Sequence, residues 1–135
     1  MKWLGILLLS ASPALADQYE ITRVIDGDTV EIAVDFLPKP LPPKLSIRVM
    51  GIDTPEKAPR AQCDAEAALA RKASAFTKNA VANALEVDID ILKWDKYGGR
   101  VLGDVYLDHQ SLAQSLISAG LARPYKGDAK KSWCE

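Results

Sequence analysis

Asp26-Gly27-Asp28-Thr29 is a turn-forming sequence that joins two β-rich segments of this chain. Tyr19 to Ile25 before it and Thr29 to Phe36 after it carry β-branched and apolar residues in near alternation, which predicts a β-hairpin. A third alternating segment, Leu45 to Ile52, leads into the acidic turn Asp53-Thr54-Pro55-Glu56, whose proline ends the strand by removing an amide donor. We therefore expect the two acidic turns to bring their oxygen atoms close together.

The rest of the chain predicts two helices and two further strands. Alanine-rich Asp64 to Leu85 has helical spacing, and Ser111 to Ala119 begins with a good N-cap and stops at a glycine. Val87 to Leu92 and Val101 to Leu107 read as strands around the turn Asp95 to Arg100. Five strands and two helices predict a small α+β protein, and the strand count alone leaves several β-barrels open.

Residues 1–16 have the organisation of a secretory signal. Met1-Lys2 precedes the apolar segment Trp3 to Leu9, and Ala14-Leu15-Ala16 predicts cleavage before Asp17. The apolar segment is far shorter than the ~20 residues that span a bilayer, so we expect no membrane anchor. We expect residues 17–135 to form one domain in the periplasm or outside the cell. The formal net charge of -1 argues against coating nucleic acid through charge alone.

The chain has two cysteines, Cys63 and Cys134. In an exported protein they predict a single disulfide. Metal ligation by two thiolates lacks partners, since His109 is the only histidine and no Cys-x-x-Cys is present.

The acidic turns supply the residue types that bind a hard cation and move a proton. Asp28, Asp53 and the backbone carbonyl of Thr54 are oxygen donors of the kind that calcium binds with flexible geometry. Because the chain has a single histidine, a carboxylate is the best available general base, and Glu56 is the leading candidate.

Two arginines complement these carboxylates. Arg48 lies in an otherwise apolar strand and must point away from Ile47 and Val49, towards an anion or the surface. Arg100 follows a glycine-rich turn. A guanidinium binds phosphate oxygens bidentately and stays protonated near neutral pH, so these residue types together suit attack on a phosphodiester.

Each motif also has an ordinary structural explanation. Asp26-Gly27-Asp28-Thr29 alone is a common hairpin turn, and Asp53 to Glu56 is also a helix-start signal in which Glu56 would cap a helix. One such motif is weak evidence, whereas three motifs in order are strong evidence.

Together with Asp95-Lys96-Tyr97-Gly98-Gly99-Arg100, the two acidic turns resemble the staphylococcal nuclease (thermonuclease) family in order and spacing, from about Ile21 to Leu121. The resemblance implies a five-stranded OB-fold β-barrel with two packed helices. It also implies calcium-dependent cleavage of DNA and RNA at the 5′ P–O bond, leaving 3′-phosphates. We expect a monomer.

The resemblance also implies a role for each matching residue. Calcium would be held by the carboxylates of Asp28 and Asp53 and the carbonyl of Thr54. The general base would be Glu56, and the phosphate would be held by Arg48 and Arg100. The bound nucleotide would be touched by Asp95, Lys96 and Tyr97, and Tyr125 would stack on a base.

Three features depart from the family pattern. Gly99 is an additional glycine before Arg100, and we expect it to form a bulge that still lets the guanidinium reach the site. A proline-rich loop, Leu37 to Pro43, follows the second strand. Beyond the second helix the founding member continues into a third helix, whereas we expect a Cys63–Cys134 bond to tie the tail to the first helix as a lid on the core.

Two other functions compete with the nuclease. The first is a non-catalytic OB-fold module that binds nucleic acid or an anion, but such a module would be expected to lose carboxylates or arginines that are present here. The second is a surface or periplasmic binding protein that holds calcium only for stability, which leaves the two arginines unexplained.

Overall fold

The computed structural model describes residues 17–96 and 99–135. The expected secretory signal and Tyr97 lie outside these residues. Within them, the structure has two helices and nine strands. The helices are α1 (Asp64–Asn83) and α2 (Leu112–Ser118). The strands are β1 (Asp17–Gln18), β2 (Ile21–Asp26), β3 (Thr29–Ala33), β4 (Lys44–Val49), β5 (Ile52–Asp53), β6 (Val87–Trp94), β7 (Arg100–Leu107), β8 (Gln110–Ser111) and β9 (Arg123–Pro124).

The five predicted strands correspond to β2, β3, β4, β6 and β7, and both predicted helices are present. The main sheet has the order β1-β6-β7-β4-β3-β2, with β8 beside β7, and a small second sheet pairs β5 with β9. The pair β4–β7 is parallel and the other pairs are antiparallel, so the main sheet is mixed.

The expected closed five-stranded barrel is not observed in the described part of the chain. The terminal strands of the main sheet, β1 and β2, are not paired with each other. β1 and β2 instead follow one another in the chain. Of the two residues between them, Tyr19 bonds to β6 and Glu20 bonds to β3. Tyr19 N–H donates to the Val87 carbonyl at 3.3 Å, and Ala33 N–H donates to the Glu20 carbonyl at 3.1 Å. Strand periodicity predicts which segments are extended but not which ladders close a sheet, and this explains the difference.

The main sheet and both helices share one apolar core. Alternation along β4 buries Leu45, Ile47 and Val49. Fully buried Val, Leu and Ile side chains contribute about 1.5–3 kcal/mol each. The largest here are Ile32, Ile47, Ile52, Ile89, Leu112, Leu116, Val30, Val49 and Val105. The sheet is therefore held rigidly beneath the loops that follow β2 and β4.

Helix α1 packs against the turn between β2 and β3. Thr77 Oγ1 donates to the Gly27 carbonyl at 2.7 Å, and Thr77 is fully buried. A Cβ on Gly27 would lie 2.7 Å from the Cβ of Ala73, so a larger residue would clash with the helix. The glycine of the first motif is required by this close approach, which places Asp28 beside α1.

The predicted disulfide is confirmed. Cys63 and Cys134 are bonded, with their Cα atoms 6.0 Å apart. Cys63 is also the N-cap of α1, where its sulfur accepts from the Glu66 N–H at 3.4 Å. The tail does not cover the apolar core as expected. Among the described residues, Trp133 lies outside the core cluster and instead contacts Asp53 and Arg123.

Within residues 17–96 and 99–135, neither helix combines the length and the apolar character that crossing a membrane requires.

Candidate active site

One cavity of about 730 Å³ collects most of the predicted site residues. It lies between the two acidic turns, the 95–100 turn, the first half of α1 and the tail. The predicted residues that line it are Asp28, Arg48, Thr54, Glu56, Asp95, Lys96, Arg100 and Tyr125. Asp53 does not line it. Segments that are distant in sequence therefore converge, as the order of the motifs predicted.

Asp28 and Arg48 form an ion pair across β3 and β4. Thr29 and Arg48 are directly opposite in the ladder, which brings Asp28 beside the arginine. Arg48 Nε lies 3.4 Å from Asp28 Oδ2, and Thr29 Oγ1 donates to Asp28 Oδ1 at 2.9 Å. Asp28 is only 8% exposed, so solvent screens this pair weakly. As predicted, Arg48 points away from the buried Ile47 and Val49.

Arg100, which lines the same cavity, is held by Asp95. Its Nε donates to Asp95 Oδ2, and the Asp95 N–H donates to the Arg100 carbonyl at 3.1 Å. Burial raises the pKa of the Asp95 carboxyl, but the hydrogen bond and charge of Arg100 outweigh burial and leave its pKa below the usual value. Gly99 has a φ of 73°, which a glycine adopts without strain, and the turn delivers Arg100 into the cavity despite the additional residue.

Glu56 is positioned by a carboxylate that the sequence analysis missed. The Glu56 N–H donates to Glu66 Oε2 at 2.9 Å, and the Gln62 N–H donates to Glu66 Oε1 at 2.9 Å. Glu66 is 4% exposed, whereas the Glu56 side chain is 40% exposed and lies 3.6 Å from Arg60 Nε. The backbone of Glu56 is therefore held in place while its carboxylate stays accessible to water.

The start of α1 excludes the alternative in which Glu56 caps a helix. Helix α1 begins at Asp64 with Cys63 as its N-cap, so Glu56 does not cap it. A sequence signal for Glu66 existed, because it precedes the buried Ala70 and Ala73 by four and seven residues and thus falls on the buried helix face.

Asp53 is engaged by residues of the tail. Trp133 Nε1 donates to Asp53 Oδ2 at 3.0 Å, and Lys130 Nζ lies 3.1 Å from Oδ1. Asp53 is 5% exposed and lines a neighbouring cavity formed mainly by the tail. The expectation that both acidic turns direct their carboxylates into one site therefore holds for Asp28 and Glu56, but not for Asp53.

The cavity fits a calcium ion only in part. Asp28 and Thr54 line it, and carboxylate and carbonyl oxygens are ligands that calcium prefers. Both oxygens of Asp53 already have partners, and so do both oxygens of Asp28. In the part of the chain that the structure describes, no three His, Cys, Asp or Glu residues form a group that could hold a metal ion. Asp28 and Thr54, which line the cavity, would hold calcium, and Asp53, which lines the neighbouring cavity, could join them only after release from the tail.

The cavity is also lined by basic residues that were not predicted from the sequence. Lys57 Nζ lies 2.9 Å from Asp26 Oδ1, and Lys93 lies beside Trp94 at the end of β6. Three basic residues of α1, Arg71, Lys72 and Lys78, are exposed and do not line it. The positive charge of the site comes mainly from strands and loops.

A mixed sheet and two helices define an OB-like α+β domain, and its cavity is lined by two arginines, Arg48 and Arg100. A family profile described as "Staphylococcal nuclease homologue" matches residues 46–133. The chain belongs to the staphylococcal nuclease family.

Characterised relatives agree with this assignment. Thermonuclease of Staphylococcus hyicus is 32% identical over 114 residues, which cover 83% of this chain and 62% of that protein. Protein ParB of Escherichia coli is 34% identical over 130 residues, covering 89% and 64%. Endonuclease YncB of Bacillus subtilis (strain 168) is 34% identical over 104 residues, covering 76% and 46%. The chain thus spans less than two thirds of the length of each of these relatives.

Proposed function

We propose that this protein is a calcium-dependent nuclease that hydrolyses phosphodiester bonds of DNA and RNA. Asp28 and Thr54 bind the metal, joined by Asp53 when the tail releases it, and Glu56 is the general base. Cleavage occurs at the 5′ P–O bond and leaves 3′-phosphate ends. Membership of a family that includes a thermonuclease and an endonuclease supports this proposal.

The arrangement of the two arginines carries the proposal. Arg48 and Arg100 come from different strands, and each is held through Nε by a buried aspartate. Among the described residues, their terminal nitrogens have no hydrogen-bond partner, so each guanidinium keeps donors for an anion in the cavity it lines. Two such groups in one cavity suit a phosphodiester, since planar guanidinium groups match phosphate oxygens bidentately.

The reaction follows from the positions of these groups. Glu56 accepts a proton from a water molecule, and the water oxygen forms a bond to phosphorus. The P–O5′ bond breaks, the leaving oxygen takes a proton from solvent, and the phosphate remains on the 3′ end. Arg48 and Arg100 stabilise the charge that develops on the phosphoryl oxygens. Bound calcium would supply polarisation of the phosphate.

Export is part of the proposal. Disulfides persist in oxidising compartments, so the Cys63–Cys134 bond supports a protein that acts in the periplasm or outside the cell after removal of residues 1–16. We propose that it acts as a monomer on nucleic-acid substrates.

The test is cleavage of plasmid DNA and of an RNA by protein beginning at Asp17, in calcium, in magnesium and in chelator. Glu56→Gln should lower the calcium-dependent rate by about 100-fold to 10,000-fold, the range for loss of a general base. Glu20→Gln is the matched control, because Glu20 is exposed and its side chain has no partner among the described residues. The ends of a labelled oligonucleotide product should carry 3′-phosphates.

Absence of cleavage by a folded protein would reject the nuclease. Calcium-independent cleavage, or equal rates for Glu56→Gln and Glu20→Gln, would reject the proposed mechanism. Nucleic-acid binding without cleavage would instead favour the non-catalytic binding module.

A further inference from the structure

A β-bulge in β6 directs Lys93 into the candidate active site. Ile89 pairs with Val105 and Ile91 with Gly103, and continuing this register would place Lys93 opposite Val101, which faces the core. The register instead shifts after Ile91, and Lys93 pairs with Leu102. Bulges often re-aim side chains beside functional sites. This one moves a lysine from the core-facing side of the sheet to the cavity.

Lys93 thereby joins a row that includes Arg48. Leu102 pairs with Lys93 on one side and with Arg48 on the other, and all three residues line the cavity. Adjacent strands are ~4.8 Å apart, so the backbones of Lys93 and Arg48 are separated by roughly 10 Å. Long basic side chains at this separation can contact neighbouring phosphates of one extended nucleic-acid strand.

Lys93 differs from the two arginines because its side chain has no carboxylate partner among the described residues. Arg48 and Arg100 each have a buried carboxylate partner, whereas the Lys93 side chain has no ion pair or hydrogen bond within residues 17–96 and 99–135. An exposed ammonium group facing a cavity attracts phosphate without first giving up a partner. Lys93 therefore suits a phosphate beside the scissile one.

Trp94 adds an aromatic surface next to this lysine. It is the last residue of β6, lines the cavity and is 62% exposed, although its ladder partner Val101 is buried. The hydrogen bond between the Asp95 N–H and the Arg100 carbonyl holds the adjacent turn and so keeps Trp94 near Arg100. An exposed indole between basic residues offers a face on which a base can stack.

We propose that Lys93 and Trp94 form a subsite for an unpaired nucleotide next to the scissile phosphate. Trp94 stacks on the base and Lys93 contacts its phosphate. Bases inside a duplex are already stacked on each other and cannot offer a free face to Trp94. This inference deepens the proposed nuclease function and rests on it.

Binding to Glu56→Gln protein in calcium tests the subsite without cleavage. Fluorescence anisotropy would follow a labelled single-stranded DNA of about eight nucleotides, within the ~4–16 nucleotides that an OB-fold covers, and a duplex of the same sequence. Trp94→Ala should weaken single-strand binding by about 5-fold to 150-fold, the equivalent of losing one stacked base, and leave duplex binding within about twofold. Trp94→Phe should restore most of the lost affinity.

Two control variants separate the subsite from general surface effects. Phe36→Ala removes another exposed aromatic side chain, 55% exposed and outside the cavity, and should not change binding. Lys93→Met should lower the slope of log affinity against log salt by about 0.7, as expected for one lost phosphate contact on a single strand. Lys72→Met, on the exposed face of α1, should leave that slope unchanged.

The subsite would be overturned if Trp94→Ala bound the single strand as tightly as the parent Glu56→Gln protein. It would also be overturned if Trp94→Ala lost the same affinity for the single strand and the duplex. If wild-type protein still cleaves plasmid DNA in that case, the proposed nuclease function stands and only the subsite fails. If the wild type does not cleave and the parent binds neither probe, the nuclease function fails and the subsite fails with it. Thermal unfolding of each variant checks that it is folded.

Discussion

The indole Nε1 of Trp133 donates a hydrogen bond to Oδ2 of Asp53 at 3.0 Å, and the two residues are 80 positions apart in the sequence. The guanidinium of Arg123 lies over the Trp133 ring, with Cζ 3.8 Å from the ring centroid. Arg123 also pairs with Asp53 between β9 and β5. The adjacent Cys134 is bonded to Cys63 at the start of α1. The tail is thus anchored on a carboxylate that the motif assigns to metal binding.

Trp133→Phe should destabilise the fold, because it leaves a nearly buried carboxylate without one of its donors. Hydrogen bonds to charged groups contribute about 1.5–3 kcal/mol, and urea unfolding should show a loss in that range. Trp94→Phe is the matched control and should change the free energy of unfolding by less than about 0.5 kcal/mol, as surface substitutions do. Equal stability of the two variants would mean that the Trp133–Asp53 bond contributes nothing measurable.

Lys130→Met should increase calcium affinity if Asp53 becomes a ligand. Lys130 Nζ lies 3.1 Å from Asp53 Oδ1, so it occupies an oxygen that calcium would need. A partly exposed ion pair contributes about 0.2–1 kcal/mol, which corresponds to an increase of at most about fivefold by calorimetry. Lys131→Met controls for the loss of one positive charge from the tail. Equal affinities for the two variants would show that Lys130 does not compete with the ion.

Gly27→Ala should destabilise the protein by about 1–3 kcal/mol, the usual cost of overpacking. The added methyl would lie 2.7 Å from the Ala73 Cβ and 3.0 Å from the Ala73 carbonyl carbon, so the turn or the helix must move. Because Asp28 follows directly, calcium affinity and cleavage should fall as well. Denaturant unfolding and calorimetry measure the two effects.

A double-mutant cycle checks the cause. Ala73→Gly removes the closest atom and should recover part of the stability lost in Gly27→Ala, after allowing for about 1 kcal/mol that a glycine costs inside a helix. Purely additive effects would contradict a steric origin.

The Asp95–Arg100 pair should make stability depend on pH in the acid range. The pKa of Asp95 is lowered in the folded protein, so the pair stabilises the fold fully above the ordinary value of 3.8 and this contribution is lost as the pH falls through the folded pKa. The difference in unfolding free energy between wild type and Asp95→Asn should be constant near pH 6 and shrink below about pH 4. Asp128→Asn, which removes an exposed carboxylate, is the comparison. A pH-independent difference for Asp95→Asn would contradict the lowered pKa.

Much of the fold could be predicted from local pattern. Alternation in the segment Leu45 to Ile52 predicted both β4 and the outward direction of Arg48, and helical spacing predicted α1. These features depend on the period of side chains along a strand or helix, which neighbouring residues specify. The disulfide was also predictable, because the chain has only two cysteines.

Other features depend on contacts between distant segments. Glu66 could be placed on the buried face of α1, but its partners Glu56 and Gln62 follow from the path of the loop before the helix. The bulge after Ile91 depends on the ladder with β7, and no residue of β6 alone specifies it. The same holds for the open arrangement of the main sheet.

The chain's composition and motifs were therefore enough to predict the five longer strands, the helices, the disulfide and the family, because turn chemistry, side-chain period and motif order are local properties. The folded structure was needed to learn that Asp53 faces the tail, that Glu66 holds Glu56 and that Lys93 enters the cavity. Each of these depends on contacts or strand pairing between segments that are distant in sequence, which exist only once the chain has folded.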